Sequence, residues 1–507
     1  MRQARKQNDK LTIERLVIVS NRLPIALTRG DMGQWQVQPS PGGLVNALTP
    51  ILSERGGLWI GWPGMLEKVD LDKLLAAASR DLGYILKPVS LTKEDINQYY
   101  FGFSNEIIWP LFHDLQTRCN FDPAYWKTYQ AVNHKFAQVI AENARMDDYI
   151  WVHDYQLMLV AKELRSMGVE NKVGFFLHTP FPSMDIFVKL PWRTPILAAL
   201  LEYDVVGFQT RRDRNNFIYC VETMLKGLQV DARKQVSTMK TPKREIGIGS
   251  FPISIDFRDF AGQAASADVA QAASQLREAI PNQKIVLGVD RLDYSKGIPE
   301  KLRAFRNALE RFSDLRGKIT LVQIAVPSRE DVPEYRALKT EIEGLVSEIN
   351  GRFSQSGWTP IQYMFRSLER TDLLAYYRAA DIALITSLKD GMNLVAKEYC
   401  AANVDKSGVL ILSEFAGAAT QLDRGSLQIN PYDIEGVAEA IHRAYNMSID
   451  ERRRRMQRLR QSVARRDVFW WVNSFLQAAV TREQTTNGSR TAHSSYDGLH
   501  SNSPLTL

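Results

Sequence analysis

Along this sequence, short apolar runs repeatedly end in residues able to do chemistry. After KIVLGV (284–289) comes Asp290-Arg291-Leu292-Asp293-Tyr294-Ser295-Lys296-Gly297. Arg291 can meet a diphosphate as a fork and Lys296 as a point charge, while Gly297 closes the loop before a helix start. After LVQIAV comes Pro327-Ser328-Arg329, a further strand-end cation. DIALIT is followed by Ser387-Leu388-Lys389-Asp390-Gly391-Met392-Asn393, a glycine-containing loop that opens a helix whose N-terminal amides favour an anion. Asp390 is expected in that loop and Glu398 about two turns into the helix. Carboxylates beside a phosphate site are costly unless they bind hydroxyls, so this pair points to sugar and ribose recognition.

The other half of the chain offers a complementary set. LVIVS (16–20) ends in Asn21-Arg22-Leu23-Pro24, and Ser40-Pro41-Gly42-Gly43-Leu44 follows. A guanidinium and bare backbone amides in one cleft suit phosphate, although a Gly-Gly pair reads equally well as a turn. YIWVH (149–153) ends at Asp154, and KVGFFLH (172–178) ends at His178. That sets a carboxylate and an imidazole at the ends of neighbouring strands, facing one crevice. The competing reading of His178 is a satisfied buried histidine, and that of Arg329 is a strand cap paired with Glu330 or Asp331.

These residues need a scaffold that presents strand ends. Continuous apolar runs without alternation read as parallel strands covered on both faces. Amphipathic segments such as QLMLVAKELRSMG and EKLRAFRNALERF lie between them, which gives a doubly wound α/β architecture. The strands are too many for one small sheet, so two Rossmann-like domains are expected, with the seam near SFPISIDF (250–257). SIDERRRRMQRLRQSV (448–463) reads as a long basic helix whose Arg452–Arg455 run is a solvated face. The segment after Ala479 is polar and poor in apolar residues, so residues 480–507 read as a disordered tail.

Composition narrows the function classes. The chain has 507 residues, 45% hydrophobic and 24% charged, which is ordinary for a globular protein of two large domains. Its formal charge of +7 is too mild and too spread for a nucleic-acid binder. The three cysteines, Cys119, Cys220 and Cys400, form no C-x-x-C pair, and no H-E-x-x-H is present, so no metal is expected. A reducing, cytoplasmic compartment follows. No run of ~18 apolar residues suggests a membrane span. Neither G-x-G-x-x-G nor a P-loop occurs, which counts against a dehydrogenase or a P-loop ATPase.

In this order, SNRLP, SPGGL, WPG, QYYFGFSNEIIWPLFH, VHDYQL, FFLHTPFP, GVDRLDYSKGI, VPSR and LKDGMNLVAKEY resemble the trehalose-6-phosphate synthases, from about residue 14 to about residue 478. The resemblance implies a retaining GT-B glycosyltransferase: two facing Rossmann-like domains around a deep cleft. It implies glucose transfer from a nucleotide donor, usually UDP-glucose, to glucose 6-phosphate, with no cofactor or metal and no nucleic-acid or membrane partner; a homo-oligomer is allowed. The implied division is an N-terminal extension over 1–13, an acceptor-binding domain over 14–250 and a nucleotide-sugar-binding domain over 251–455. A C-terminal helix over 456–479 is expected to cross back to the first domain.

Carried over by motif, Arg22 and Arg329 would hold the acceptor phosphate, Tyr100 and Trp109 would line the acceptor pocket, and Asp154 would contact the acceptor sugar. Gly43 would approach the donor diphosphate, with Arg291 and Lys296 supplying charge. His178 and Asp390 would bind the transferred glucose, and Glu398 the ribose. Leu368 falls where the family places an apolar residue against the uracil, which leaves the base preference open. Two alternatives stand beside this reading. HTPFPSMDIFVKLPWR (178–193) is also similar to glucosylglycerol-phosphate synthases, which would use glycerol 3-phosphate. A silent sugar-phosphate sensor would be expected to lose Arg291, Lys296, Asp390 or Glu398, and all four are present.

Overall fold

The computed structural model describes residues 13–29, 35–39, 43–65, 71–231, 236–242, 244–329 and 332–492. The expected N-terminal extension up to residue 12, the Ser40-Pro41-Gly42 stretch, the Glu330 and Asp331 partners considered for Arg329, and residues 493–507 lie outside the described residues.

Strands up to residue 250 are β1 (Arg15–Arg22), β2 (Ile25–Arg29), β3 (Trp35–Pro39), β4 (Leu58–Trp62), β5 (Ile85–Pro88), β6 (Asp148–His153), β7 (Lys172–Phe176), β8 (Val205–Phe208), β9 (Gln229–Asp231), β10 (Val236–Lys240) and β11 (Glu245–Ser250). All but the β2–β3 hairpin join one nine-stranded sheet in the order β5-β4-β1-β6-β7-β8-β11-β10-β9, parallel except at its β10 and β9 edge. The rest are β12 (Lys284–Arg291), β13 (Ile319–Val326), β14 (Ile361–Phe365), β15 (Ile382–Ile385), β16 (Val409–Ser413) and β17 (Leu427–Ile429). They form a six-stranded parallel sheet, β14-β13-β12-β15-β16-β17. Every apolar run singled out in the sequence lies in one of these parallel strands. The reason is visible in β1, where Leu16 and Ile18 enter one core cluster and Val17 and Val19 the cluster on the opposite face. A strand covered on both sides has no solvent face to alternate toward.

The chain passes between the sheets twice. The outward crossing follows β11, with the Ile253 N–H donating to Gln209 Oε1 at 2.9 Å. The return lies between two helices, Ile449–Arg465 and Val468–Ala492. The crossings touch, since the Val468 N–H donates to the carbonyl of Ile255 at 3.0 Å. The last helix then closes one face of the first sheet. Phe475 stacks on Trp151 at 4.4 Å between centroids, and Trp471 lies 5.0 Å from the same ring. Gly174 and Gly207 make this fit possible, because a Cβ at either would sit within 2.9 Å of the Phe475 ring.

Three expectations are corrected at this end of the chain. The segment 456–479 is two helices broken at Arg466 and Asp467, which is what allows the change of direction. The Arg452–Arg455 run is not simply a solvated face. Arg453 and Arg454 are exposed, but Arg452 is buried, 5% exposed, and donates to the carbonyls of Ala444 (2.8 Å), Met447 (3.0 Å) and Tyr445 (3.1 Å). It thereby satisfies orphan carbonyls at the end of the helix Ile434–Asn446. Finally, the last helix continues to Ala492, beyond Ala479, where order was expected to end.

Candidate functional site

The carboxyl ends of β1, β6 and β7 face those of β12, β13 and β15. Arg22 is the last residue of β1, and a 13-residue π-helix, Ile96–Ile108, carries Tyr100 beside it. The Trp109 N–H donates to Ser104 O, the i→i−5 spacing that defines this rare helix and often marks a functional site. Arg22 lies over the Trp62 ring at 4.5 Å and the Tyr100 ring at 5.9 Å. Across the cleft, Arg329 and Arg291 lie 4.7 Å and 5.6 Å from the Trp109 centroid. Burial alone would raise the Tyr100 phenol, but Arg329, Arg22 and Arg291 together hold it below its ordinary value. The structure therefore gathers Arg22, Tyr100, Trp109, Arg291 and Arg329 into one cation-rich pocket.

Two arginines in this pocket are held by a residue the sequence reading gave no role. Asp293, fully buried, has Oδ2 3.7 Å from Arg329 and 3.9 Å from Arg291. Burial would raise its pKa; Arg329, Arg291 and Lys296 overcome that and bring it to about 2. Arg329 also donates to the Tyr335 hydroxyl. Its φ of +49° is unusual for a non-glycine residue, a strain the surrounding contacts must hold.

Asp154 has the same character, with φ +74°. Its Oδ1 accepts the His178 N–H at 3.2 Å, and burial pushes its carboxyl up to about 6. The His178 Nε2 meets His153 Nδ1 at 3.1 Å, while His178 Nδ1 is buried without a partner. Burial lowers His178 to about 3, so the ring is neutral. His178 is thus buried, as the satisfied-histidine reading expects, with Nε2 partnered and Nδ1 not.

At the carboxyl end of β15, Lys296 and Asp390 form an ion pair at 2.7 Å. Burial opposes the Asp390 charge, but Lys296 outweighs it and leaves the carboxyl below its ordinary value. Asp390 Oδ1 also accepts the Met392 N–H at 3.1 Å. The helix Leu394–Ala402 follows, capped by Asn393, whose Oδ1 accepts the Ala396 N–H at 3.1 Å. Gly43 starts another helix, Gly43–Arg55, and a Cβ there would sit 2.8 Å from the Leu394 side chain. Two helix N-termini from opposite sides of the cleft therefore converge, a setting that favours an anion. Glu398 is about one turn into its helix, not two, and accepts the Tyr377 hydroxyl at 2.9 Å. Leu368 is half-buried in the segment between β14 and the helix Arg370–Ala379, packed against the core.

Direct contacts hold the two walls together. A Cβ on Gly391 would fall 2.1 Å from the His178 carbonyl, so glycine is required for that approach. Lys389 pairs with Asp114, and Arg118 lies 4.8 Å from the Tyr294 centroid. His113, also passed over in the sequence, is buried under Trp109 with Nδ1 2.7 Å from the Trp109 carbonyl; burial takes it down to about 4. The nearest signal was its place in the block that carries Tyr100 and Trp109. Among the described residues, no three His, Cys, Asp or Glu side chains converge as a metal-ligand set, and no helix is long and apolar enough to cross a membrane.

The sequence and the fold both have parallels among known proteins. The family description Glycosyltransferase family 20 matches residues 14–481. The chain is 42% identical over 469 residues to the trehalose-6-phosphate synthase of Mycobacterium leprae, covering 91% of this chain and 94% of that one. Its fold is similar to the UDP-forming α,α-trehalose-phosphate synthase of Burkholderia xenovorans solved with glucose 6-phosphate, with TM-score 0.82, 35% identity, and 92% and 99% of the two chains covered. It is equally similar to the E. coli protein solved with UDP-2-fluoro glucose, with TM-score 0.81, 36% identity, and 92% and 98% covered. The two-sheet GT-B architecture expected from the sequence is thus the one observed, and the chain belongs to glycosyltransferase family 20.

Proposed function

We infer that this chain moves glucose from UDP-glucose to glucose 6-phosphate with retention, releasing UDP and α,α-trehalose 6-phosphate. The observation that carries this reading is the two-walled cation pocket over Trp109, joined to a second anion site where two helix N-termini meet. One site suits the phosphate of a hexose phosphate and the other the diphosphate of a nucleotide sugar. Arg22 and Arg329 take the acceptor phosphate, Tyr100 and Trp109 shape its pocket, and Asp154 accepts from an acceptor hydroxyl. Gly43, Arg291 and Lys296 take the diphosphate. His178 and Asp390 hold the transferred glucose, Glu398 the ribose, and Leu368 the base.

The chemistry follows from those placements. The leaving diphosphate oxygen accepts the acceptor proton on the face where the new bond forms, and Arg291 and Lys296 stabilise the charge that develops there. No metal is needed, because guanidinium, ammonium and helix amides neutralise the diphosphate. The free thiols of Cys119, Cys220 and Cys400 suit a reducing cytoplasm. Incubating the purified chain with UDP-glucose and glucose 6-phosphate, and identifying the product, tests the reading. Faster glucosylation of glycerol 3-phosphate would replace it with the glucosylglycerol alternative.

A further inference from the structure

Arg291 and Arg329 present an electrostatic problem that the fold has solved. Both guanidiniums lie over one indole, Trp109, and both belong to phosphate sites. In the proposed function, on which this inference rests, those phosphates are on different substrates. Two mobile cations so close to each other would both be drawn to whichever anion arrived first. The second anion would then meet a pocket stripped of its cation.

Asp293 stands between them. Its two oxygens divide their work: Oδ1 accepts the Ser295 N–H at 2.9 Å and the Ser295 hydroxyl at 2.8 Å, which fixes the carboxylate rigidly. Oδ2 accepts from the Tyr335 hydroxyl at 3.3 Å and faces Arg329 at 3.7 Å and Arg291 at 3.9 Å. Those last two distances attract each guanidinium but exceed a hydrogen bond, so neither guanidinium spends an N–H on Asp293; Arg329 gives one N–H to Tyr335 and keeps the others for a ligand. Tyr335 adds a second tether to Arg329 alone. A carboxylate that depressed anion binding and did nothing else would be a liability at this position. Its complete burial and its fixed geometry indicate a different role.

We propose that Asp293 is a positioning residue that keeps Arg291 on the donor side and Arg329 on the acceptor side, and so allows both anionic substrates to bind at once. It touches neither substrate. Its effect is a coupling between the two sites, and such a coupling is reciprocal: UDP changes the affinity for glucose 6-phosphate by the same factor as the reverse.

The test is calorimetric titration of UDP and of glucose 6-phosphate, each alone and each with the other saturating, in wild type and in Asp293→Asn. Asparagine keeps an acceptor for Ser295 and removes the charge. The expected result is that each ligand alone binds the variant as well as wild type or better. The second ligand should bind at least tenfold more weakly once the first is in place, by the same factor in both orders. A melting temperature is recorded alongside. If both single affinities fall and the coupling factor stays within threefold of wild type, Asp293 is a structural support and the proposal is overturned. If all four affinities tighten together, Asp293 only repels anions, which also overturns it. Should Asp293→Asn fail to fold, Tyr335→Phe decides: it frees Arg329 from one tether and should lower the coupling factor at least threefold, and an unchanged factor refutes the idea. Failure of the proposed function would appear in wild type itself, as no binding of one ligand or no trehalose 6-phosphate formed.

Discussion

Truncating Arg329 is the sharpest probe of how the acceptor is chosen. Its side chain is 9% exposed, its ion partner Asp293 is fully buried, and it covers Trp109 at 4.7 Å. Arg329→Ala therefore leaves a phosphate under-neutralised in a desolvated pocket, a loss on the order of 2–5 kcal/mol. Arg22 and Tyr100 remain on the opposite wall, which favours the lower end of that range. At about 1.4 kcal/mol per decade, a loss of about 2 kcal/mol raises KM for glucose 6-phosphate roughly 30-fold. KM for UDP-glucose should move little, because the contacts of Lys296 and of the two helix N-termini are untouched. Arg329→Lys should fall between the two, retaining charge but losing the fork and the stacking on Trp109. Steady-state kinetics with both substrates varied, together with a melting curve, reads all of this. A lower melting temperature with KM for glucose 6-phosphate unchanged would mean that Arg329 only braces the loop after β13, and the acceptor assignment would fall.

Other outcomes follow from the same geometry. Arg291→Ala should lower kcat at least a hundredfold, the scale of about 3 kcal/mol seen when a charge-stabilising donor is removed; trapping a covalent glucosyl-enzyme would contradict the front-face route. Activity should survive EDTA, and a complete loss restored by Mg²⁺ would reveal a carboxylate site not recognised in the cleft. Asp154, raised to about 6, should give kcat/KM an ascending limb as pH passes through about 6, and Asp154→Asn should erase it, which separates this group from the substrate phosphate titrating in the same range. For stability the sign reverses: the folded chain keeps the Asp154 proton where the unfolded chain has lost it, so this contribution declines as pH rises from about 4 to about 6, readable by denaturation at each pH. Gly391→Ala would place a Cβ 2.1 Å from the His178 carbonyl and should hold the walls apart, seen as a larger radius of gyration and reduced kcat; unchanged scattering and rate would show that the loop can yield.

Much of this was legible in the residues because parallel strands covered on both faces leave a plain signature. The runs that became β1, β6, β7, β12, β13 and β15 are apolar throughout, so the residues just beyond them could be read as strand-end chemistry. Arg22, Asp154, His178, Arg291 and Arg329 were found in this way. Asp293 was not, because a carboxylate between two cations in one short loop reads as a local pair or a solvated charge. Only the fold brings Arg329 to it from the neighbouring strand. The Lys296–Asp390 pair was hidden for the same reason, since its members are 94 residues apart. The role of Arg452 was obscured by its neighbours: four arginines in a row look alike in sequence, and only packing distinguishes the one turned onto the end of another helix.

The helix that begins at Val468 has a consequence for how the protein is made. It supplies Trp471 and Phe475 to the face of the first sheet, against Trp151, Phe176 and the bare backbones of Gly174 and Gly207. During synthesis the first sheet is completed at Ser250, yet this face stays unroofed until the whole second sheet has emerged. Domains tend to fold as they leave the ribosome, and exposed apolar surface is where nascent chains go astray. The packing of the first sheet is therefore completed only when the last helix arrives. A ribosome stalled shortly before Val468 should display a nearly complete but sticky enzyme, and one released after Ala479 a sealed one.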